Sequence, residues 1–211
     1  MERGQFTTEQ ERFWAGEFGD AYIDRNRMPG VLAAKTALLA RVLASAGAVN
    51  SVLEFGANIG MNLVALRTLV PEASFTAVEI NHKAAAELKS YGWLTAHETS
   101  IFDFETEAPA DLVLSSGLLI HIQPQKLGEA YRALYGASRR YVCIVEYYNP
   151  TPVEVPYRGE RERLFKRDFA GEMMDLYPDL QLRGYGFRYH RDPVFPMDDA
   201  TWFLLEKREV R

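Results

Sequence analysis

The sequence predicts an α/β fold, a Rossmann-like, mostly parallel sheet of about seven strands with helices on both faces. Three observations carry that expectation. Short apolar runs at residues 51–55, 74–78, 111–114 and 141–145 recur along the chain, with helical periodicity between them. The first run stops at a glycine turn, Glu54-Phe55-Gly56-Ala57-Asn58-Ile59-Gly60. The 211 residues are 47% hydrophobic and 25% charged, the balance of one globular domain able to bury a sizeable core. Strands alternating with helices imply βαβ units with right-handed crossovers.

Each element has its own reason. Phe13, Trp14, Phe18 and Tyr22 recur at helical spacing before a turn at Met28-Pro29-Gly30. Residues 31–46 are rich in Ala and Leu, good helix formers, and Gly47 is placed to end that helix. Residues 62–69 carry helical periodicity up to Pro71. Helices are also expected at 83–90, 126–135 and 169–175. Beyond Pro150 the texture changes to an irregular, charged segment. The runs at 181–189 and 201–207 read as two final strands, one of them antiparallel, joined by a long loop holding Pro193 and Pro196. The expected organisation is one domain over 1–211, with a helical lid at 1–30 and a substrate-recognition insert at 147–180.

Composition excludes several classes. The 24 Lys and Arg against 29 Asp and Glu give a formal charge of −5, which argues against nucleic-acid binding as the main activity. The polar start, Met1-Glu2-Arg3-Gly4-Gln5, does not resemble a secretory signal. No stretch reaches the ~18 uninterrupted apolar residues of a membrane span. One cysteine, Cys143, rules out an internal disulfide and a four-cysteine zinc site, and its apolar surroundings fit a reducing, cytoplasmic location. No metal-ligating pattern is present. The chain is expected to be a monomer or homodimer with a small-molecule partner.

Open parallel sheets bind ligands beyond the carboxyl ends of their strands, where strand order reverses. The turn after the first strand is therefore the first place to look. A dinucleotide fingerprint wants glycine where this chain has Asn58 and Met61, which disfavours a nicotinamide-dependent oxidoreductase. The remaining pattern, acidic-x-Gly-x-Asn-x-Gly, lets backbone pass close to a ligand. Glu54 suits a ligand with positive charge, such as S-adenosylmethionine with its ammonium and sulfonium. Glu79, ending the run Ala77-Val78-Glu79-Ile80, can accept both hydroxyls of a ribose.

Glu54 to Gly60 together with Glu79 resembles the first two motifs of the class I S-adenosylmethionine-dependent methyltransferases. Asn58 departs from the middle glycine of many members, although asparagine tolerates left-handed backbone. The resemblance covers about residues 50–146. It implies S-adenosylmethionine as cofactor, with Glu54, Gly56, Ala57, Asn58, Gly60, Glu79 and Ile80 around it. Ser100 and Ile101 stand at the adenine-contacting segment, Ser100 where an Asp is common. Ser115 and Gly117 fall in the fourth-strand motif beneath the methionine portion. Phe13 to Asn26, the run Leu118-Leu119-Ile120-His121-Ile122 and the segment from Tyr147 to Phe169 are similar to methylases associated with pseudaminic acid biosynthesis. That implies methyl transfer to O or N of a small polar molecule, of anionic or sugar-related kind; a cofactor-binding protein without catalysis is the alternative.

The aromatic stripe of Trp14, Phe18 and Tyr22 reads either as a helix packed on the sheet or as a lid over the cofactor. Arg25 favours the lid, since it can pair with a carboxylate. His121 follows the fourth strand and is a candidate general base of near-neutral pKa, or else a loop hydrogen-bonding residue. Tyr148 is a second catalytic candidate. Adjacent strand residues point to opposite faces, so at most one of Tyr147 and Tyr148 faces the site. Tyr147, Asn149, Tyr157 and Arg158 are candidate acceptor-binding residues, with arginine suited to an anion.

Overall fold

The computed structural model describes residues 6–157 and 163–208. The sheet has seven strands: β1 (Ser51–Phe55), β2 (Ser74–Glu79), β3 (Thr95–Glu98), β4 (Ala110–Ser116), β5 (Ser138–Glu146), β8 (Leu180–Arg188) and β9 (Ala200–Lys207). A two-stranded ribbon, β6 (Val153–Glu154) with β7 (Phe165–Lys166), lies outside it. The strand order is β3-β2-β1-β4-β5-β9-β8. Strands β1 to β5 pair in parallel, and β9 runs antiparallel to both β5 and β8. Strand order reverses between β1 and β4, which opens a crevice at their carboxyl ends.

Helices α1 (Glu9–Ala15) and α2 (Glu17–Tyr22) precede the sheet, with a 3-10 turn at Ile23–Arg27. Helices α3 (Val31–Ala44), α4 (Met61–Leu69) and α5 (His82–Ser90) cover one face. Helices α6 (Leu127–Ala137) and α7 (Phe169–Leu176) cover the other. Period-two alternation explains the division. Val52, Leu112, Leu114 and Cys143 pack with Leu38, Leu39, Leu63 and Leu66 of α3 and α4. Leu53, Val113, Val142 and Ile144 point the other way, onto Leu127, Leu134 and Met173. Both faces are buried, so the central strands read as continuous apolar runs. Phe55 is fully buried in the second layer, and truncating it to alanine would cost roughly 3–5 kcal/mol.

Four details differ from the sequence expectation. The strand β3 went unread because Thr95-Ala96-His97-Glu98 is short and mostly exposed, with no apolar run to mark it. The aromatic stripe does not lie on one helix, since extended backbone at Gly16 breaks α1 from α2. The helix at 31–44 is ended by Ser45, and the Gly47 amide instead donates to the Tyr141 hydroxyl at 2.8 Å. The segment after Pro150 is not wholly irregular, because it forms the β6–β7 ribbon.

Candidate functional site

The crevice above β1, β2 and β4 holds a cleft with two chambers that share Trp14, Gly56, Ile80, Leu118 and His121. The first, of about 550 Å3, is walled mainly by apolar groups, among them Val78, Ile80, Ile101, Phe102 and Ile122. The second, of about 700 Å3, is the more polar of the two, with Asn26, Lys35, Asn58, Asn62, Glu79 and Asn81 around it. An apolar slot beside a polar chamber suits a ligand with a planar base at one end and hydroxyls and charges at the other.

The turn after β1 shapes the shared wall. Gly56 has φ +69°, and a Cβ there would lie 3.1 Å from Leu118 Cδ1. Asn58 is the one non-glycine residue with positive φ among the described residues, at +49°. Its amide donates to Glu79 Oε2 at 2.7 Å, and its side-chain oxygen accepts from Ile59 N at 2.8 Å and from Asn26 Nδ2 at 3.2 Å. Asparagine thus fills the place of a middle glycine and ties the turn to the N-terminal segment. Ala57 lines the polar chamber. Gly60 does not border the cleft: it starts α4 at φ +78°, where a Cβ would meet Leu88 Cδ2 at 2.7 Å.

Glu79 ends β2 facing the polar chamber, with Oε1 accepting from Asn81 N at 2.7 Å. Burial raises its pKa, opposed by the amides of Asn81, Asn58 and Ile80. Glu54 is placed differently from expectation. It is completely buried below the chamber, and Oε1 accepts from Asn62 Nδ2 at 2.6 Å. Asn62 Oδ1 accepts in turn from Lys35 Nζ at 2.8 Å. Burial raises the Glu54 carboxyl and lowers the Lys35 ammonium, each effect partly offset by the other's charge. Of the two, Lys35 borders the chamber and Glu54 does not; Glu54 lies behind it as a buried counter-charge, linked through Asn62. Lys35 was missed, although a lone charge on the face shared by Val31, Ala34, Leu38 and Leu39 is a legible signal.

Ser100 and Ile101 line the apolar chamber. Ser100 also hydrogen-bonds Glu11, whose carboxyl is held below its usual value: burial opposes, but bonds from Ser100, Thr7 and Thr8 win. Ser115 departs from expectation, being fully buried with Oγ donating to Glu146 at 3.0 Å, and Ser116 lines the cleft in its stead. Gly117, at φ +69°, lines the polar chamber.

The N-terminal segment closes one side. Trp14 borders both chambers and Tyr22 the polar one. Asn81 Nδ2 reaches the Trp14 carbonyl at 3.2 Å and Asp20 Oδ1 at 2.9 Å, while its Oδ1 caps α5 at Ala84 N. Arg25 is exposed and borders neither chamber; it lies over the Tyr22 ring at 5.5 Å and hydrogen-bonds Tyr157.

His121 borders both chambers, its ring 4.5 Å from that of Trp14 and 5.2 Å from that of Tyr157. Nδ1 lies 2.7 Å from the Arg163 carbonyl. A carbonyl only accepts, so Nδ1 carries the hydrogen and Nε2 is left as the basic atom. Burial pushes the imidazole down to about 4, not the near-neutral value expected.

Tyr148 is misplaced for catalysis, being exposed and packed against Phe203, away from both chambers. Its neighbour Tyr147 donates to Asp198 Oδ2 at 3.1 Å, and burial first, then Asp198, raises its pKa. Asn149 is engaged with the Thr151 carbonyl and borders neither chamber. Arg158 lies outside the described residues.

No family model and no curated protein matches the sequence. Solved structures similar to this chain include the Burkholderia thailandensis 1,6-didemethyltoxoflavin-N1-methyltransferase with bound 1,6-didemethyltoxoflavin and S-adenosylhomocysteine. It has 14% identity and a TM-score of 0.70, covering 94% of this chain and 87% of that one. Magnesium protoporphyrin IX methyltransferase from Synechocystis PCC 6803, with bound SAM, has 9% identity and a TM-score of 0.67 over 97% of this chain and 100% of that one. The N-methyltransferase NodS from Bradyrhizobium japonicum WM9, with S-adenosyl-l-homocysteine, has 16% identity and a TM-score of 0.64 over 95% and 97%. The chain therefore has the Rossmann-like methyltransferase fold. Among the described residues no helix is long and apolar enough to cross a membrane, and no group of His, Cys, Asp and Glu is arranged to hold a metal.

Proposed function

We propose that this protein is an S-adenosylmethionine-dependent methyltransferase acting on O or N of a small polar molecule. The observation that carries the reading is the pairing of an apolar slot with a chamber holding one carboxylate, Glu79, and one buried ammonium, Lys35. The residues fit the cofactor part by part. Ile80, Ile101, Phe102 and Leu118 suit the base, and Glu79 suits the ribose hydroxyls. Lys35 has three N–H donors and one hydrogen-bond partner among the described residues, Asn62, so it retains capacity for a carboxylate. When bound, the cofactor supplies a methyl group already activated by the sulfonium.

What the chain itself contributes is alignment and exclusion of water. The segment within 1–30 acts as a lid through Trp14 and Tyr22. His121 Nε2 takes the proton from an acceptor that must lose one; burial keeps the ring neutral but makes it a weak base, so the bound acceptor must offset that desolvation. The insert at 147–180 holds the acceptor, with Tyr147 and Tyr157 as its contacts. An anionic or sugar-related acceptor is supported by Arg25 beside Tyr22 and Tyr157, and by Lys166 over the Tyr147 ring at 5.3 Å. An acceptor from a sugar pathway, as in the pseudaminic acid-associated methylases, is consistent with these cationic and phenolic groups beside the N-terminal segment and β5.

The test is incubation with methyl-labelled cofactor and a panel of amino, hydroxy and carboxylated sugars beside neutral heterocycles. Label transfer with release of S-adenosylhomocysteine is expected for an anionic sugar-like member. Transfer to neutral heterocycles only would overturn the acceptor class. Cofactor binding without transfer to any acceptor would favour a binding protein.

A further inference from the structure

Glu146 is the last residue of β5, only 2% exposed, and among the described residues it faces no lysine or arginine partner. Burying a carboxylate is costly unless hydrogen bonds replace its water. Here they come from the end of β4 and the loop that follows. Oε1 accepts from Ser115 Oγ, Leu118 N and Leu119 N, each at 3.0 Å, and the Ile120 amide also bonds the carboxylate.

The loop is built to present those amides. Gly117 takes φ +69°, its own amide goes to the Val145 carbonyl at 3.0 Å, and a 3-10 turn follows at Leu119–His121. Successive N–H groups converging after a left-handed residue form an anion-binding concavity. In this chain the anion in that concavity is a side chain of the chain itself. The loop so held carries Leu118, which borders both chambers and packs over Gly56, and His121, which borders both as well.

We propose that Glu146 is a positioning residue for the cleft: its carboxylate fills the amide concavity at 118–120 and so fixes Leu118 and His121 against the ligand. The clamp is a property of the loop; its consequence for S-adenosylmethionine rests on the functional reading above. Removing the carboxylate would free four donors at once, the Ser115 hydroxyl and three amides, and the loop would relax where it touches both halves of the cleft.

Backbone amide exchange by NMR reads the clamp directly, because Leu118 N and Leu119 N have the carboxylate as their acceptor. In Glu146→Ala these two amides should exchange at least ~10-fold faster, while Val142 and Ile144 in the sheet stay as in wild type. The His121 ring, better hydrated, should titrate above its wild-type value of about 4. Affinity for S-adenosylhomocysteine should fall roughly tenfold. Glu146→Gln keeps an acceptor oxygen and should restore protection and most of the affinity. Wild-type protection of both amides in Glu146→Ala, or a Gln variant no better than the Ala variant, would overturn the proposal. Should the Ala variant not fold, wild type decides, since rapid exchange at Leu118 and Leu119 there would equally overturn it. Failure of wild type to bind S-adenosylhomocysteine would instead contradict the cofactor reading and leave the exchange result to judge the clamp.

Discussion

Replacing His121 with asparagine removes a titrating ring while leaving a side-chain N–H able to reach the Arg163 carbonyl. In the native protein burial lowers the imidazole from 6.5 to about 4. The unfolded chain therefore takes up a proton below the ordinary histidine value, whereas the native chain stays neutral until much lower pH. A depressed folded-state pKa contributes stability that is present above the unfolded value and lost as pH falls toward the folded one. At roughly 1.4 kcal/mol per pH unit, the loss between about pH 7.5 and about pH 4 comes to about 3 kcal/mol. Glu146, raised by burial to about 7, drives stability the opposite way, because the native state binds its proton first as pH falls. That contribution is common to both proteins and cancels in the difference. Urea unfolding of wild type and His121→Asn across this range should give stability differences that shrink, or reverse, by about 3 kcal/mol at the acid end. Parallel curves would refute the reasoning, since they require a solvated ring with an ordinary pKa.

Other variants probe the cleft. Glu79→Ala should weaken S-adenosylhomocysteine binding by roughly 1.5–3 kcal/mol per lost charged hydrogen bond, read by calorimetry. Gly56→Val should abolish that binding with little change in circular dichroism, since the new side chain meets Leu118 and adopts a left-handed conformation that costs roughly 1–2 kcal/mol. Asn81→Ala removes the α5 cap and both ties to the N-terminal segment, so it should cost about 1 kcal/mol. Amides of α1 and α2 should then exchange faster than those of the sheet, and unchanged exchange there would show that these ties do not hold the segment.

The central sheet was legible because β1, β2, β4 and β5 are buried on both faces and leave unbroken apolar runs. Strand β3 carries no such run, and its pairing with β2 sets its conformation. The glycine turn and Glu79 were legible from spacing, but which groups border the cleft was not. Ser115 and Ser116 differ by one residue on a strand, and that parity sends the first to Glu146 and the second to the cleft. The same parity correctly anticipated that Tyr147 and Tyr148 diverge. Lys35 borders the chamber where Glu54 and Arg25 do not, because α3 brings its one buried charge over the end of β1; a lone lysine on an apolar helix face shows in the sequence, but where that helix docks does not. Glu146 reads in sequence as an ordinary acidic strand end; its donors lie far upstream, on β4 and the loop beyond.

The most direct measurement is calorimetric titration of the wild-type protein with S-adenosylmethionine, with NAD as the control ligand. Saturable binding of S-adenosylmethionine at one site, lost in Gly56→Val and weakened in Lys35→Met, is the predicted result, with no heat from NAD. No binding of S-adenosylmethionine, or binding of NAD in its place, would contradict the account.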